Sequence, residues 1–230
     1  MKVVVPGIKT FIFGRYGSLL IFLLLAMLLQ PFVETLIGKL VIEFFFIAVL
    51  FAGLRAIQIK KGLLRFEVAL LIISLVVGIA GSLMDYEVLF LIGLSGRALF
   101  LILVALTILY DLFHTREVTG DTLAGAVCVY LLIALIWGYG YLIVEFISPE
   151  SYSFTLGHER MNLWVSKEFF PFFYFSLVTM TTVGYGDMAP LTTGSQLLAT
   201  MEALIGQIYL TILVARLVGM HLVHQQQQNE

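Results

Sequence analysis

The stretch TMTTVGYGD, residues 179–187, lies between two long apolar segments and interrupts them with threonines, two glycines and an aspartate. Gly184 and Gly186 permit a backbone that alternates between ordinary and positive φ, because glycine adopts positive φ at little steric cost. Such alternation turns successive carbonyl groups to one side, and the hydroxyl of Thr182 extends the same row. Non-helical backbone at membrane depth has to be buried in protein or to line a water-filled cavity. The stretch therefore predicts a polar site lined by oxygen atoms.

The composition is that of an integral membrane protein. Of the 230 residues, 60% are hydrophobic and 12% are charged, and the mean hydropathy is +1.03. Soluble domains carry about 25% charged residues. The net charge of −2 says little about partners, and no basic cluster suggests a nucleic-acid partner. We predict an all-α membrane protein whose surroundings are membrane lipids.

The sequence contains six apolar stretches whose lengths are close to the roughly 20 residues that a membrane-spanning helix needs. They are residues 17–37, 40–58, 66–84, 88–110, 121–147 and 194–219. A further apolar segment, Phe169 to Met180, is too short to span and predicts a re-entrant helix. The predicted organisation is a cytoplasmic or interfacial segment 1–16, a four-helix domain 17–110, a linker 111–120, a second helical domain 121–220 and a short tail 221–230.

Lysine and arginine residues favour the cytoplasmic side of a membrane protein. With the N-terminus inside, the inner segments hold nine such residues and the outer segments hold three. This asymmetry predicts that both termini are cytoplasmic and that residues 179–187 face the external side.

The segment 179–187 resembles the signature of potassium channels, TxxTxGYGD. The match lies at Thr179, Thr182, Gly184, Tyr185, Gly186 and Asp187. The resemblance implies a homotetramer in which four TVGYG loops, residues 182–186, replace the hydration shell of K⁺ with carbonyl oxygens. It places the ions at Thr182, Val183, Gly184 and Tyr185, as permeant and filter-bound K⁺, and implies no cofactor.

The same resemblance assigns supporting roles around this filter, and it implies a pore helix from Ser166 to Met180 with Pro171 in its first turns. Tyr174 and Phe175 occupy positions of an aromatic cuff in the pore helix, and Tyr185 is expected to pack against that cuff. Asp187 is expected at the external mouth within reach of Tyr174, where several copies would concentrate cations. Val178 replaces a glutamate that some relatives carry behind the filter, which leaves inactivation behaviour undetermined.

The resemblance also implies that the last span lines the inner pore. Gly206 lies where relatives commonly carry a hinge glycine, so a hinge and a close helix contact are both open. Glu202 is expected to bond to the pore-helix backbone rather than to take part in the ion path. Helical spacing places four candidate pore-lining residues on roughly one face: Gln207, Leu210, Val214 and Ala215.

The first 110 residues share only the six-helix layout of voltage-gated relatives. Voltage sensors carry arginine at every third position, whereas residues 88–110 contain Arg97 alone. One charge crossing 100 mV changes the energy by about 2.3 kcal/mol, so four copies of Arg97 supply at most about 9 kcal/mol. Steep voltage gating is therefore not expected. A static pair of Arg97 with Glu43 is favoured over a moving charge, and Glu67 is the other nearby acid.

These observations favour a potassium-selective channel that conducts K⁺ passively. The alternatives are a non-selective cation channel, a weakly voltage-dependent potassium channel and a subunit of a potassium transporter, although such transporters usually carry four single-glycine filter segments in one chain. An enzyme is not expected, because no HExxH, GxSxG or Walker sequence occurs. The compact chain suggests a prokaryotic inner membrane.

Overall fold

A computed structural model describes residues 14–29, 61–115, 119–156, 159–161 and 169–229. The helices are α1 (Arg15–Leu29), α2 (Lys61–Leu83), α3 (Glu87–His114), α4 (Gly120–Ile147), α5 (Phe170–Met180) and α6 (Thr193–Asn229). The strands are β1 (Tyr152–Leu156), β2 (Glu159–Met161) and β3 (Met188–Pro190). The predicted span 40–58 lies outside the described residues.

Four of these helices are long and apolar enough to cross a membrane within the part of the chain that the structure describes. They are α2 from Arg65, α3, α4 and α6 as far as Arg216. α1 and α5 are shorter apolar helices. The protein is thus mostly helical with four candidate membrane spans, and the count of six stays a prediction.

The predicted helix ends need two corrections. α3 continues to His114, into the predicted linker 111–120, and α6 continues to Asn229, through most of the predicted tail. Neither extension contains proline, and the tail supplies glutamines, which are good helix formers. α5 begins at Phe170, and Pro171 is its second residue. The predicted start at Ser166 lies outside the described residues.

α4 and α6 begin with the same reciprocal capping arrangement. At α4 the backbone N–H of Thr119 donates to Thr122 Oγ1 (2.8 Å), and the N–H of Thr122 donates to Thr119 Oγ1 (3.2 Å). At α6 the pair is Thr192 and Ser195, with distances of 3.1 and 3.3 Å. Each pair satisfies backbone donors that the first turn of a helix leaves without a partner.

The prediction of an entirely α-helical chain is wrong in one respect. The three strands form an antiparallel sheet in the order β2-β1-β3, with Phe154 opposite both Met161 and Met188. The β1 sequence YSFTL alternates, so Tyr152 and Phe154 are buried whereas Thr155 is exposed. This period of two is too short a signal to stand out between long apolar helices.

The chain divides into two compact units. The first includes the described residues 14–29, 61–68, 103–115, 119–131 and 211–229. In it, Asp121 Oδ1 accepts the backbone N–H groups of Tyr16 (2.8 Å) and Gly17 (3.1 Å), at the N-terminus of α1. The Tyr16 hydroxyl donates to Asp111 Oδ2 (2.6 Å). A carboxylate at a helix N-terminus also complements the helix dipole.

In the same unit, Arg216 of α6 bonds to the end of α3. Its Nη2 donates to the carbonyl oxygens of Leu112 and Thr115, the latter at 3.0 Å, and the guanidinium lies 5.0 Å from the centre of the Phe113 ring. The last carbonyl groups of a helix have no intrahelical partner. Arg216 therefore caps the C-terminal end of α3.

The second unit includes the described residues 69–102, 132–156, 159–161 and 169–210. In it α2 and α3 approach through glycines. A Cβ placed on Gly93 would lie 2.4 Å from the Cα of Gly78, and one placed on Gly81 would lie 2.4 Å from the backbone N of Phe90. Small residues let helix backbones approach closely where both helices are apolar.

Candidate functional site

The predicted filter begins where α5 ends. The backbone N–H of Val183 donates to the carbonyl of Val178 (3.0 Å), and that of Thr182 donates to the carbonyl of Thr179 (3.1 Å). This pair of bonds is a Schellman motif, in which the residue at the Thr182 position adopts a left-handed conformation and is usually glycine. Thr182 has φ 58°. The helix end thus sets the backbone of the first filter residue.

Positive φ then recurs at every second residue. After Thr182, Gly184 has φ 60° and Gly186 has φ 78°. The positive φ predicted for both glycines is confirmed, and that of Thr182 is a feature the sequence reasoning missed. A β-branched residue with positive φ is a true conformational outlier, and such outliers cost about 1–3 kcal/mol each and cluster at functional sites.

Residues 182–186 are exposed on the single chain. The apolar side chains of Val183 and Tyr185 are 50% and 72% exposed. Within the described residues, no group of three or more His, Cys, Asp and Glu side chains is placed to hold a metal ion. The polar groups of residues 182–186 are their backbone groups and the hydroxyls of Thr182 and Tyr185.

Asp187 is fixed directly after the loop. The Tyr174 hydroxyl donates to its Oδ2 (2.6 Å), and its Oδ1 accepts the N–H of Met188 (3.0 Å). The predicted approach of Tyr174 to Asp187 is thus present. The Tyr174 ring is also parallel to that of Tyr185, with centroids 6.5 Å apart. Partial desolvation, followed by the hydrogen bond to Asp187 and its charge, raises the pKa of Tyr174 to about 12.

The sheet holds the chain that leaves the loop. The N–H of Thr155 in β1 donates to the carbonyl of Asp187 (2.9 Å), and β3 starts at the next residue. The carbonyl of Ser151 accepts the N–H of Leu191 (2.8 Å) and the hydroxyl of Ser195 (2.9 Å). The connection from the loop to α6 is therefore bonded at both ends.

A buried polar cluster lies behind α5. Glu202 of α6 and Ser176 of α5 are each 0% exposed, and Tyr141 of α4 is equally buried. Glu202 forms hydrogen bonds with the hydroxyls of Ser176 and Tyr141, and Ser176 Oγ lies 2.8 Å from the carbonyl oxygen of Ala134. The predicted bond of Glu202 to the α5 backbone is wrong: Glu202 bonds to the Ser176 side chain of α5, because backbone N–H groups inside a helix already donate to intrahelical carbonyls.

Phe175, the second predicted cuff residue, is buried against the same cluster. Its ring centre lies 5.1 Å from that of Tyr141 and 5.8 Å from that of Tyr152. Val178 and Thr179 are half-buried and carry the carbonyls that close the Schellman motif. The sequence signal that could have located the cluster was the presence of Ser176 and Glu202 inside apolar helices.

The inner-helix residues are placed as follows. Gly206 is buried, a Cβ there would lie 3.3 Å from Met180 Cγ, and α6 is continuous through it. The close helix contact is thus present, and the hinge stays a prediction. Gln207 Nε2 donates to the carbonyl of Met180, the last residue of α5, at 3.3 Å. The other three pore-lining candidates are half-buried or exposed: Leu210, Val214 and Ala215.

Arg97 belongs to the closely packed α2–α3 contact. A Cβ on Gly78 would lie 3.2 Å from Arg97 Nη2, so the guanidinium lies against the α2 backbone. Glu43 lies outside the described residues, and its pairing with Arg97 stays a prediction. Glu67, the other candidate partner, accepts a hydrogen bond from Thr107 Oγ1 at 3.5 Å.

Comparison with known proteins shows what the second half of the chain is similar to. Residues 125–221 match the family model described as "Ion channel", and this region contains α5, the loop and most of α6. These residues are thus similar to an ion channel domain, and the apolar helices support a membrane protein. The similarity points to a channel rather than to an enzyme.

Individual relatives are potassium channels by name. The chain is 38% identical over 60 residues to mouse (Mus musculus) "Potassium voltage-gated channel subfamily A member 10", covering 25% of this chain and 12% of the relative. It is 43% identical over 47 residues to human (Homo sapiens) "Potassium voltage-gated channel subfamily A member 7", covering 20% and 10%. The human member 4 matches at 37% over 60 residues, covering 25% and 9%. The chain spans about a tenth of the length of these curated relatives.

Proposed function

We propose that this chain forms a potassium-selective channel that conducts K⁺ passively through a homotetrameric pore. The observation that carries the proposal is the alternation of positive φ at Thr182, Gly184 and Gly186, directly after the C-terminal end of α5. Backbone that alternates in this way directs successive carbonyls to one side, as carbonyl-lined potassium filters require. The similarity of the region to potassium channels supports the same assignment.

In this proposal the ions are held by oxygen atoms of Thr182, Val183, Gly184 and Tyr185. Four copies would supply a ring of carbonyls at each level, replacing the hydration shell of K⁺. Asp187, fixed by Tyr174, would stand at the external mouth in four copies and attract cations. No cofactor is required, since the permeant ion is itself the bound species.

The apolar surface that a single chain leaves exposed supports the proposed homotetramer. Each chain supplies one TVGYG segment, and one segment cannot surround an ion. Only 11% of the α6 span is buried within the chain, whereas 56% of the α4 span is buried. Further copies of the chain would cover the exposed face of α6, together with Val183 and Tyr185. Lipid would cover the outer helices.

The proposed channel is not steeply voltage-gated. Arg97 is the single arginine of α3, and its guanidinium lies against Gly78 in a contact with little space. A charge held there would cross little of the membrane field. We place both termini in the cytoplasm and the filter mouth outside on the charge asymmetry of the sequence.

The test is the reversal potential of the purified protein in a planar bilayer, with K⁺ on one side and Na⁺ on the other. We expect reversal close to the K⁺ equilibrium potential and an open probability that changes little over about ±100 mV. Reversal near zero with clear openings would show a non-selective cation channel instead. A steep dependence on voltage would contradict the assignment of Arg97 as a static residue.

A further inference from the structure

The buried cluster behind α5 contains more hydrogen-bond acceptors than hydroxyl protons can serve if Glu202 is ionised. Ser176 Oγ lies within bonding distance of two acceptors, the Ala134 carbonyl and Glu202 Oε1. A serine hydroxyl carries one proton, and a carbonyl oxygen can only accept. An ionised Glu202 would therefore leave one of these two close oxygen–oxygen contacts without a proton.

A neutral Glu202 satisfies every contact. Its own proton, on Oε1, bonds to Ser176 Oγ, and the Ser176 hydroxyl donates to the Ala134 carbonyl. The Tyr141 hydroxyl donates to Oε2. The proton order then runs from Tyr141 through Glu202 and Ser176 to Ala134, with each hydroxyl donating once. Full burial of all three side chains favours the same arrangement, since an unpaired buried charge is costly.

We propose that Glu202 is held as a neutral acid and acts as a positioning residue, joining α5 to α4 and α6 behind the loop that carries the filter. The consequence for K⁺ current rests on the proposed function. The protonation of Glu202 does not rest on the proposed function, because it follows from the contacts of the cluster. Loss of the proton would draw the Ser176 hydroxyl toward Glu202 and release the bond to Ala134, which loosens α5.

The other groups that face the cluster do not supply a compensating charge. From α4 come Tyr141 and Glu145, and from β1 comes Tyr152, whose ring centre lies 5.4 Å from that of Tyr141. Glu145 Oε1 accepts the N–H of Glu150 (2.9 Å) and its Oε2 accepts the N–H of Tyr152 (3.0 Å). In the described part of the chain, the polar contacts of Glu202 come from hydroxyls rather than from a lysine or arginine.

The contacts thus predict opposite protonation states for Glu145 and Glu202, although both acids are buried. Both oxygens of Glu145 accept backbone N–H groups, an arrangement that suits a carboxylate. One oxygen of Glu202 has to donate. Glu202→Gln preserves the network, because the amide NH₂ can donate to Ser176 while the amide oxygen accepts from Tyr141. It cannot lose a proton.

The first experiment is infrared spectroscopy of the full-length protein in lipid at neutral pH. We expect the carbonyl stretch of a protonated carboxylic acid in the wild type, its loss in Glu202→Gln, and its retention in Glu145→Gln. Absence of that band in folded wild type, or its retention in Glu202→Gln, would overturn the proposal. This readout does not depend on ion conduction, so a failure of the proposed channel function would leave it intact.

The second experiment measures K⁺ current as the pH is raised and compares it with the infrared band. Over the range in which the band disappears, we expect wild-type current to fall about tenfold, as expected for the loss of about one hydrogen bond. Glu202→Gln should keep its current within about twofold of its neutral-pH value over that range. An equal fall of current in both proteins would overturn the positioning role.

Discussion

The α2–α3 contact and the packing of α5 lie in the same compact unit, but they are held together in opposite ways. α2 and α3 meet through glycines, and backbone atoms occupy the space where side chains would stand. α5 is held through Ser176, which bonds to Glu202 and to the Ala134 carbonyl, and through the bond from Gln207 to Met180. The first contact depends on volume, and the second depends on the positions of donors and acceptors.

The difference determines which substitutions each region tolerates. A glycine contact accepts no additional atom, whatever its polarity, because backbone cannot move aside locally. A hydrogen-bonded contact accepts an isostere that keeps the donors and acceptors, but not an apolar residue that leaves one of them unpaired. Gly184 adds a third constraint, because space is open around a Cβ there but its backbone has positive φ. In the proposed filter its carbonyl also has to stay available.

The largest effect is expected from Gly184→Ala. Positive φ costs a residue with a Cβ about 1–2 kcal/mol, or about 4–8 kcal/mol over four copies. No atom lies within 4 Å of a Cβ at this position in the chain, so backbone conformation rather than crowding is the cause. We expect reversal near zero or no current in bilayers loaded with K⁺ and Na⁺.

Gly140→Ala is the matched control, because its Cβ also meets nothing within 4 Å but its backbone is helical. It should keep the wild-type reversal potential. Reversal close to the K⁺ equilibrium potential in Gly184→Ala would show that the alternating φ is not needed for selectivity.

The next effect is expected from Gly93→Ala, which tests the volume-dependent contact. The added Cβ would lie 2.4 Å from Gly78 Cα and 2.6 Å from Gly78 N, so α2 and α3 would have to separate. We expect the free energy of unfolding to fall by about 1–3 kcal/mol, measured by thermal denaturation in detergent. Selectivity should be unchanged.

Gly62→Ala, on the same pair of helices, provides the comparison. Nothing lies within 4 Å of its Cβ, and replacing a helical glycine by alanine should raise stability by up to about 1 kcal/mol. If Gly93→Ala and Gly62→Ala denature at the same temperature, the close contact between α2 and α3 contributes nothing to stability.

A smaller effect is expected from Arg216→Gln. The substitution removes the charged donor that bonds to the carbonyls of Leu112 and Thr115 and lies over Phe113. We expect a loss of about 1–2 kcal/mol, seen as a lower melting temperature. Arg216→Lys should retain part of the stability because one ammonium can still reach a carbonyl. An unchanged melting temperature in Arg216→Gln would argue against the cap.

The smallest effect is expected from Tyr174→Phe, which removes the 2.6 Å bond to Asp187 and preserves the ring. The loss should be about 1 kcal/mol and should appear as a faster decline of K⁺ current during sustained opening. Tyr86→Phe, at an exposed tyrosine, is the control. Equal decline in the two variants would show that the bond does not hold the mouth.

The same bond has a defined dependence on pH. Since the pKa of Tyr174 is raised to about 12, above the ordinary value of about 10, the phenol stays protonated in mildly alkaline solution. The contribution of the bond is fully present below about pH 10 and is lost as the pH rises through about 12. We therefore expect the difference between wild type and Tyr174→Phe to be the same at neutral and at mildly alkaline pH.

Local patterns in the sequence predicted much of this arrangement. Long apolar runs located α2, α3, α4 and α6, and the spacing of Gly184 and Gly186 predicted their positive φ. The approach of Tyr174 to Asp187 came from the resemblance. These features depend on short segments, for which composition and spacing carry the information.

Features that depend on distant segments were not predicted. The left-handed conformation of Thr182 was also missed, but for a local reason: the end of α5 imposes it against the preference of threonine. The bonds of Glu202 join residues of three helices, and no spacing along the chain indicates which hydroxyls it meets. The sheet was missed because β1 and β3 are separated by more than thirty residues, and each is too short to predict alone.

The sheet also limits how the end of the loop at Asp187 can move. Asp187 is bonded to β1, β3 pairs with β1 through Pro190 opposite Tyr152, and Ser195 at the start of α6 is bonded to Ser151. The segment between the loop and α6 has no slack. These bonds make the segment rigid, so a displacement of the N-terminal end of α6 would be transmitted to Asp187. Bending of α6 that leaves the loop 182–186 in place therefore has to occur farther along the helix, beyond Ser195.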